Sequence, residues 1–160
     1  LGPRTVQRVL VTMGAGAAPP VRGLRPVAAV APGVAAATGL SLQQLAAALV
    51  GQLRPAAVVC VDRLCSAEGQ RLGRTVQFSD TGLYPAQADH TRHLTRDTLG
   101  VPVVAAGIPT LMQAQEGADR VVTPRALDSV IAHGAALLAG SVNRALQPRL
   151  TVQQLCWLTG

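Results

Sequence analysis

The chain has 160 residues, of which 49% are apolar, and it contains only one Phe, one Tyr and one Trp, so its core must be built from aliphatic side chains. No apolar run approaches the ~18 residues that a membrane-spanning helix needs, and residues 1–8 lack the pattern of a signal peptide, so neither a membrane partner nor secretion is expected. All fourteen basic residues are Arg, and against eight acids they give a net charge of +6. This charge can support binding to nucleic acid or acidic proteins. Because the Arg residues are scattered along the sequence and aromatic residues for base stacking are scarce, a specific nucleic-acid partner is not expected.

Helical and strand-like segments alternate along the chain, which predicts an α/β fold. Ser41, Thr95, Thr123 and Thr151 are residues that can cap helical segments at their amino ends. Helical segments are predicted at residues 2–8, 41–54, 66–71, 95–100, 125–146 and 151–158, and strands at residues 9–13, 27–30, 55–62, 75–79 and 101–108. With no internal repeat and no long linker, residues 1–160 are predicted to form a single domain. The three cysteines form no C-x-x-C pair, and their odd number favours a reducing, cytoplasmic compartment.

Asp62 follows one of the most apolar stretches of the chain, residues 55–61. A short apolar run after a proline is typical of a strand buried on both faces of a parallel sheet. Ligands of such sheets bind outside the carboxyl ends of the strands, so Asp62 is expected at a functional edge. The run at residues 75–79 ends in the same way at Asp80, which spacing alone makes the natural partner of Asp62. The competing interpretation is that both acids are strand-end caps or partners of arginines.

Carboxylate chemistry is the catalytic chemistry that the sequence supports best. Two neighbouring carboxyl groups can share one proton, because like charges at contact distance cannot both ionise. One then acts as a base toward water while the other protonates the leaving group. No Ser lies in a G-x-S-x-G elbow and no Cys has a convincing His partner, so nucleophilic hydrolysis is poorly supported.

Two further motifs are weaker. The Gly14-Ala15-Gly16 loop is followed by Pro19-Pro20 and lacks a third spaced glycine, so a dinucleotide site is not expected. Residues 89–93 offer Asp89, His90 and His93, but their spacing lacks the helical i, i+4 geometry of common zinc sites. We therefore expect neither a metal nor a cofactor.

Several segments, in the right order, resemble the germination protease family of spore-forming bacteria. Leu1-Gly2-Pro3-Arg4 is similar to the family's D-A-L-G-P-R segment. The other matching segments are residues 31–39, 55–62, 75–82, 98–110, 122–124 and 143–146. The resemblance implies an atypical aspartic endopeptidase that cleaves small acid-soluble spore proteins during germination, in the cytoplasm of the spore core. It also implies a three-layer α/β/α sandwich with a mostly parallel central sheet, and a homo-oligomer, usually a tetramer.

The same resemblance assigns roles to individual residues. Asp62 matches the aspartate of the family's I-A-I-D-A-L segment, one of two catalytic aspartates that work without a metal. The second would lie two residues before Leu1, so the chain is expected to lack its N-terminal segment. Asp80 is a weaker catalytic candidate, which could orient the active face or hold an Arg.

The chain departs from the family pattern at three places. Arg63 directly follows the catalytic position, the segment from Pro85 to Thr91 replaces the glycine-rich P-G-S-G-V-G-N loop, and residues 111–117 are short where many members carry a long insertion. Two alternatives therefore stay open. One is a non-catalytic or degenerate homologue that acts as an assembly subunit. The other is a nickel-sensing maturation peptidase of the same fold, which would need further acid or His ligands near Asp62.

Overall fold

The computed structural model describes residues 1–14, 22–33, 35–84, 93–113 and 121–160, and confirms an α/β architecture within them. The helices are α1 (Gly2–Val6), α2 (Ala35–Thr38), α3 (Leu42–Leu53), α4 (Arg96–Leu99), α5 (Leu127–Leu146) and α6 (Val152–Thr159), with a 3₁₀ turn at Gly69–Arg71. The strands are β1 (Val58–Cys65), β2 (Gln77–Ser79), β3 (Val103–Gln113) and β4 (Val121–Val122). Within the described ranges, no helix combines the length and apolarity needed to cross a membrane.

The predicted caps set three of the helix starts. The Ser41 hydroxyl accepts the Gln44 N–H at 3.1 Å, and the Gln44 side chain accepts the Ser41 N–H at 2.9 Å. Thr95 and Thr151 form the same reciprocal capping box at the starts of α4 and α6. Each box satisfies amide groups that a helix terminus otherwise leaves without partners, which is why these boundaries could be read from the sequence.

The sheet is mixed, which corrects the expectation of a mostly parallel sheet. β1 pairs in parallel with β3, whereas β2 pairs antiparallel with the other edge of β3, and β4 pairs antiparallel with the end of β3. The physical reason is the length of the connections. Only residues 66–76 join β1 to β2, which lies beyond β3, whereas a parallel arrangement would need a crossover of about a dozen residues or more to return to the start of the sheet.

Two predicted strands near the amino terminus are absent from the described ladder. Residues 9–13 and 27–30 form no strand, and a single carbonyl, that of Val27, accepts both the Thr12 and Met13 N–H groups at 3.0 Å. The Thr12 hydroxyl accepts the Val27 N–H at 2.9 Å and donates to the Arg25 carbonyl. Hydrogen bonds of the Thr12 side chain therefore join these two segments in place of the backbone hydrogen bonds of paired strands.

The chain divides into two compact units, and we describe each by itself. The first unit comprises Leu1–Ala31 and Ile131–Gly160, and the second comprises Pro32–Val130. The expectation that residues 1–160 form one domain stays a prediction.

Two buried amide side chains, one in α5 and one directly after it, organise the first unit. Asn143 accepts the Leu10 N–H and donates to the Arg8 carbonyl, both at 2.8 Å. Gln147, one turn later, accepts the Arg25 N–H at 3.0 Å and donates to the Arg25 carbonyl at 2.8 Å. Both side chains are at most 3% exposed, so breaking either pair of hydrogen bonds would leave buried polar groups without partners.

The core of the second unit is aliphatic, as the composition predicted. Its buried cluster consists of Cys60, Leu83, Leu94, Leu99, Val103 and Ala105. Half-buried residues of α3 and of the β1 and β3 regions pack against it, namely Leu42, Ala46, Val50, Val58, Leu64 and Val101. Cys60 and Leu64 belong to one face of β1, and Asp62 lies between them on that same face.

Candidate active site

Asp62 lies within β1 and not at its end, because the strand continues to Cys65. Its carboxylate is exposed, and its Oδ1 atom accepts the backbone N–H of Arg63 at 2.7 Å. Four of the eight residues of β1 are exposed, so the expectation of a strand buried on both faces is wrong. The prediction already fails within the apolar run, where Ala56, Ala57 and Val59 are exposed, because an apolar pattern does not specify whether both faces of a strand are covered.

Gly107 of β3 stands opposite Asp62 in the register of the sheet. A Cβ atom at this position would fall onto the carbonyl oxygen of Asp62 and would lie 2.7 Å from Cγ of Leu64. Only a glycine therefore allows β3 to approach the Asp62 segment this closely. Gly107 therefore helps to fix the backbone of Asp62.

Cys60 lies two residues before Asp62 on the same face of β1 and is buried. Burial, and secondarily the negative charge of Asp62, raise the pKa of the Cys60 thiol from 9.0 to about 11. The thiol is therefore protonated at neutral pH and is a poor nucleophile. The Asp62 carboxylate adds to this shift because the two side chains are next neighbours on one face of β1.

This coupling gives a prediction about cysteine reactivity. Iodoacetamide at pH 8 is expected to modify the exposed Cys65 and Cys156 well before Cys60, and Asp62→Asn is expected to lower the pH midpoint for Cys60. Site-resolved mass spectrometry across pH measures both effects. An Asp62→Asn variant with an unchanged midpoint would contradict the electrostatic contact.

The same pKa shift has a consequence for stability. The pKa of the Cys60 thiol is 9.0 in the unfolded chain and about 11 in the folded chain. The stabilisation that comes from this difference is therefore fully present below pH 9.0, and the free energy of unfolding decreases as pH rises toward 11. Cys60→Ala serves as the control. Because it removes the thiol, the free energy of unfolding of this variant should fall less between pH 9.0 and 11.

Arg63 does not occupy the face of Asp62. Successive side chains of a strand point to opposite faces, so only the backbone N–H of Arg63 reaches the carboxylate. Within the described ranges, the ion pair found is Arg71–Glu68 at 3.0 Å, and Arg63 is not paired with Asp62. The departure from the family pattern at this position therefore leaves the Asp62 face without an added cation.

Asp80 is not brought next to Asp62. Because β2 runs antiparallel to β3, Gln77 stands level with Gly107 and Asp62, and Asp80 lies three residues further, toward the start of β1. Strand spacings of about 4.8 Å and rises of about 3.3 Å per residue put the two Cα atoms about 14 Å apart. Asp80 is exposed and follows Ser79, whose hydroxyl lies 2.7 Å from that of Thr81. The two acids cannot share a proton in this arrangement, and a catalytic role for Asp80 stays a prediction.

The possible metal ligands give no site among the described residues, where no group of three His, Cys, Asp or Glu side chains converges. His93 is described, and its ring packs against Tyr84 with centroids 5.0 Å apart. Asp89 and His90 lie outside the described residues, as do the whole altered segment from Pro85 to Thr91 and residues 114–117 of the short segment.

Sequence reasoning missed two residues of the Asp62 environment, Gly107 and Cys60. The signal for Gly107 was available, because a lone glycine within an apolar strand often marks a close approach of another backbone. Cys60 was considered only as one of three cysteines that form no C-x-x-C pair, although the i, i+2 spacing on a strand could have placed it beside the acid.

A family model described as germination protease matches residues 1–116. Among curated relatives, the germination protease of Halalkalibacterium halodurans is 38% identical over 138 residues, covering 83% of this chain and 36% of the relative. That of Bacillus subtilis is 38% identical over 119 residues, covering 71% of this chain and 32% of the relative. That of Clostridium perfringens is 28% identical over 206 positions, covering 97% of this chain and 63% of the relative. The chain belongs to the germination protease family.

The chain spans about a third of the length of the Halalkalibacterium and Bacillus relatives, and less than two thirds of the Clostridium relative. The Clostridium alignment also runs over more positions than this chain has residues, so that relative carries additional segments inside the matched region.

Proposed function

We propose that this chain is the Asp62-bearing part of an endopeptidase that hydrolyses small acid-soluble spore proteins during spore germination. Asp62 would supply one of two catalytic carboxylates, and the second would come from a segment upstream of Leu1. The reaction would take place in the cytoplasm of the spore core, without a metal or a cofactor. We further propose the three-layer sandwich and the homo-oligomer that the family resemblance implies.

The observation that carries this proposal is the position of Asp62 within the family-matched part of the chain. It lies on a strand whose backbone is held against β3 at Gly107, and its carboxylate is directed by the Arg63 N–H. Such anchoring supports a catalytic role, because a carboxylate acting as a general base must be held in a fixed geometry.

The proposed chemistry needs a second carboxyl group close to Asp62. One of the two would be ionised and would accept a proton from water, while the other would donate its proton to the leaving amine. Because the side chain of Asp62 is exposed, a second carboxyl group and the substrate can both approach its carboxylate. Asp80, about 14 Å away by strand spacing, is too distant to be this partner.

A second candidate function is that of a non-catalytic homologue. The exposure of Asp62 and its distance from Asp80 favour it, because the second acid that the sequence offered is too far away to work together with Asp62. The residue encoded two positions before Leu1 separates the two candidates. An aspartate supports the peptidase, and any other residue supports the degenerate homologue.

The test is a cleavage assay with the complete encoded protein and purified small acid-soluble spore proteins, followed by mass spectrometry. We expect cleavage at defined sites, with a rate that EDTA does not change, because two carboxylates need no metal. Cleavage that stops with EDTA and returns with a divalent cation would contradict the mechanism and favour the metal-dependent alternative. An absence of cleavage would favour the non-catalytic homologue.

A further inference from the structure

The net charge of the chain is confined to one of its two compact units. The first unit contains six of the fourteen arginines and none of the eight acids, whereas the second contains eight arginines and all eight acids. The first unit therefore carries the entire net charge of +6. Its arginines are Arg4, Arg8, Arg22, Arg25, Arg144 and Arg149. These residues lie near both ends of the sequence, and the two ends belong to the same unit.

Two of these arginines line one concavity of the first unit, and two others are attached to its lining segments. It has a volume of about 420 Å³ and is lined by residues 23–26 and 147–149, so Arg25 and Arg149 belong to its wall. Arg22 directly precedes the lining segment. Arg144 is tied to the other segment, because its Nη1 donates to the Pro148 carbonyl at 2.8 Å and to the Leu150 carbonyl at 3.3 Å. We call this set, Arg22, Arg25, Arg144 and Arg149, the arginine cluster.

The concavity is held in place before any ligand arrives. The buried side chain of Gln147 holds the backbone of Arg25: it accepts the Arg25 N–H at 3.0 Å and donates to the Arg25 carbonyl at 2.8 Å. The side chain of Arg25 reaches back toward the end of α5, where Nη1 lies 3.4 Å from the Ala145 carbonyl. A preorganised pair of segments reduces the entropy lost when the guanidinium groups take up an anion.

Guanidinium groups form paired hydrogen bonds to the oxygens of phosphates and carboxylates. No acid of the first unit competes for them. Trp157 is the single aromatic residue of the unit, so the unit offers no platform on which successive bases could stack. Contacts are therefore expected with the backbone of a polyanion and not with bases.

We propose that the arginine cluster binds the phosphate backbone of duplex nucleic acid without sequence preference. Duplex DNA carries about one negative charge per 1.7 Å of helix axis, a density that suits a compact group of four cations. A flexible acidic peptide would have to lose more conformational entropy for the same number of contacts. This binding goes beyond the proposed peptidase function and does not depend on it.

The test measures binding of a fluorescein-labelled DNA duplex of about 20 base pairs by anisotropy, between about 50 and 200 mM salt. Four phosphate contacts predict a slope of log K against log salt of about −3 to −4. Arg25→Gln combined with Arg149→Gln should weaken binding about tenfold at low salt and make the slope shallower by about 2. Arg149→Gln alone, which removes no hydrogen bond described in the structure, should make it shallower by about 1.

The matched control is Arg74→Gln combined with Arg96→Gln, which removes the same charge from the second unit and should leave the slope unchanged. Equal losses in the two double variants would overturn the proposal, because net charge alone would then explain binding. The proposal would also fail if a Glu-rich peptide displaced the duplex at equal charge concentration, or if the duplex did not bind. Because no cleavage is measured, a failed peptidase assay leaves this result unaffected.

Discussion

Replacing Gly107 by alanine is expected to lower the free energy of unfolding by about 2–3 kcal/mol, the upper part of the range for overpacking a core. The added Cβ atom would meet the carbonyl oxygen of Asp62 and the side chain of Leu64. The carbonyl belongs to a strand paired with β3 over eight residues, so it cannot move without disturbing the parallel ladder. Urea denaturation followed by circular dichroism measures the loss.

Gly51→Ala is the matched control for this substitution. Gly51 lies in the exposed part of α3 in the same unit, and an added Cβ atom there would meet nothing within 4 Å. Alanine is favoured over glycine in a helix by about 1 kcal/mol, so this variant should be as stable as the parent or more stable. If Gly107→Ala were equally harmless, the close approach of β3 to the Asp62 carbonyl would not contribute to the stability of the sheet.

The parts of the fold that the sequence predicted well are those governed by local chemistry. Ser41 with Gln44, and Thr151 with Gln154, each satisfy amides within one helical turn, so their signals are complete in the sequence. The class of fold followed from the alternation of apolar runs with helical stripes. Neither inference needs knowledge of which segments meet in space.

The parts that failed depend on distant contacts. The direction of β2 relative to β3 is decided by a connection of only residues 66–76 and by pairing with a strand that comes later in the chain. Its reversal moves Asp80 away from Asp62, although both acids follow similar apolar runs. The exposure of Asp62 likewise depends on what covers β1, which an apolar pattern does not specify.

The candidate site was predictable only in part. Family resemblance selected Asp62, but the need for glycine at Gly107 follows from the sheet register, and the raised pKa of Cys60 follows from burial beside the acid. The unequal charge of the two units could not be predicted from the order of residues either, because the first unit is built from both ends of the chain.

Asp62→Asn is expected to reduce the kcat for cleavage of small acid-soluble spore proteins by about 10²–10⁴-fold, the contribution of a general acid or base. An amide cannot accept a proton from water or exchange one with a second carboxyl group. Asn keeps the size of the side chain and can still accept the Arg63 N–H through its amide oxygen, so the fold should be preserved. Because substrate contacts elsewhere are untouched, KM should change little.

Asp80→Asn is the control for charge and exposure. It removes the same charge from another exposed acid of the same unit, about 14 Å from Asp62 by strand spacing. If Asp80 merely orients the surrounding surface, its loss should have a much smaller effect on kcat. A large and equal loss in both variants would indicate that the two acids act together despite their separation.

The central claim is that Asp62 performs the chemistry, and kcat of the complete Asp62→Asn protein tests it most directly. The measurement is made on purified small acid-soluble spore proteins, with unfolding curves recorded for the same preparations. Our account predicts a folded protein in which kcat has fallen by about two orders of magnitude or more. A folded Asp62→Asn protein that cleaves at the rate of the parent would contradict it.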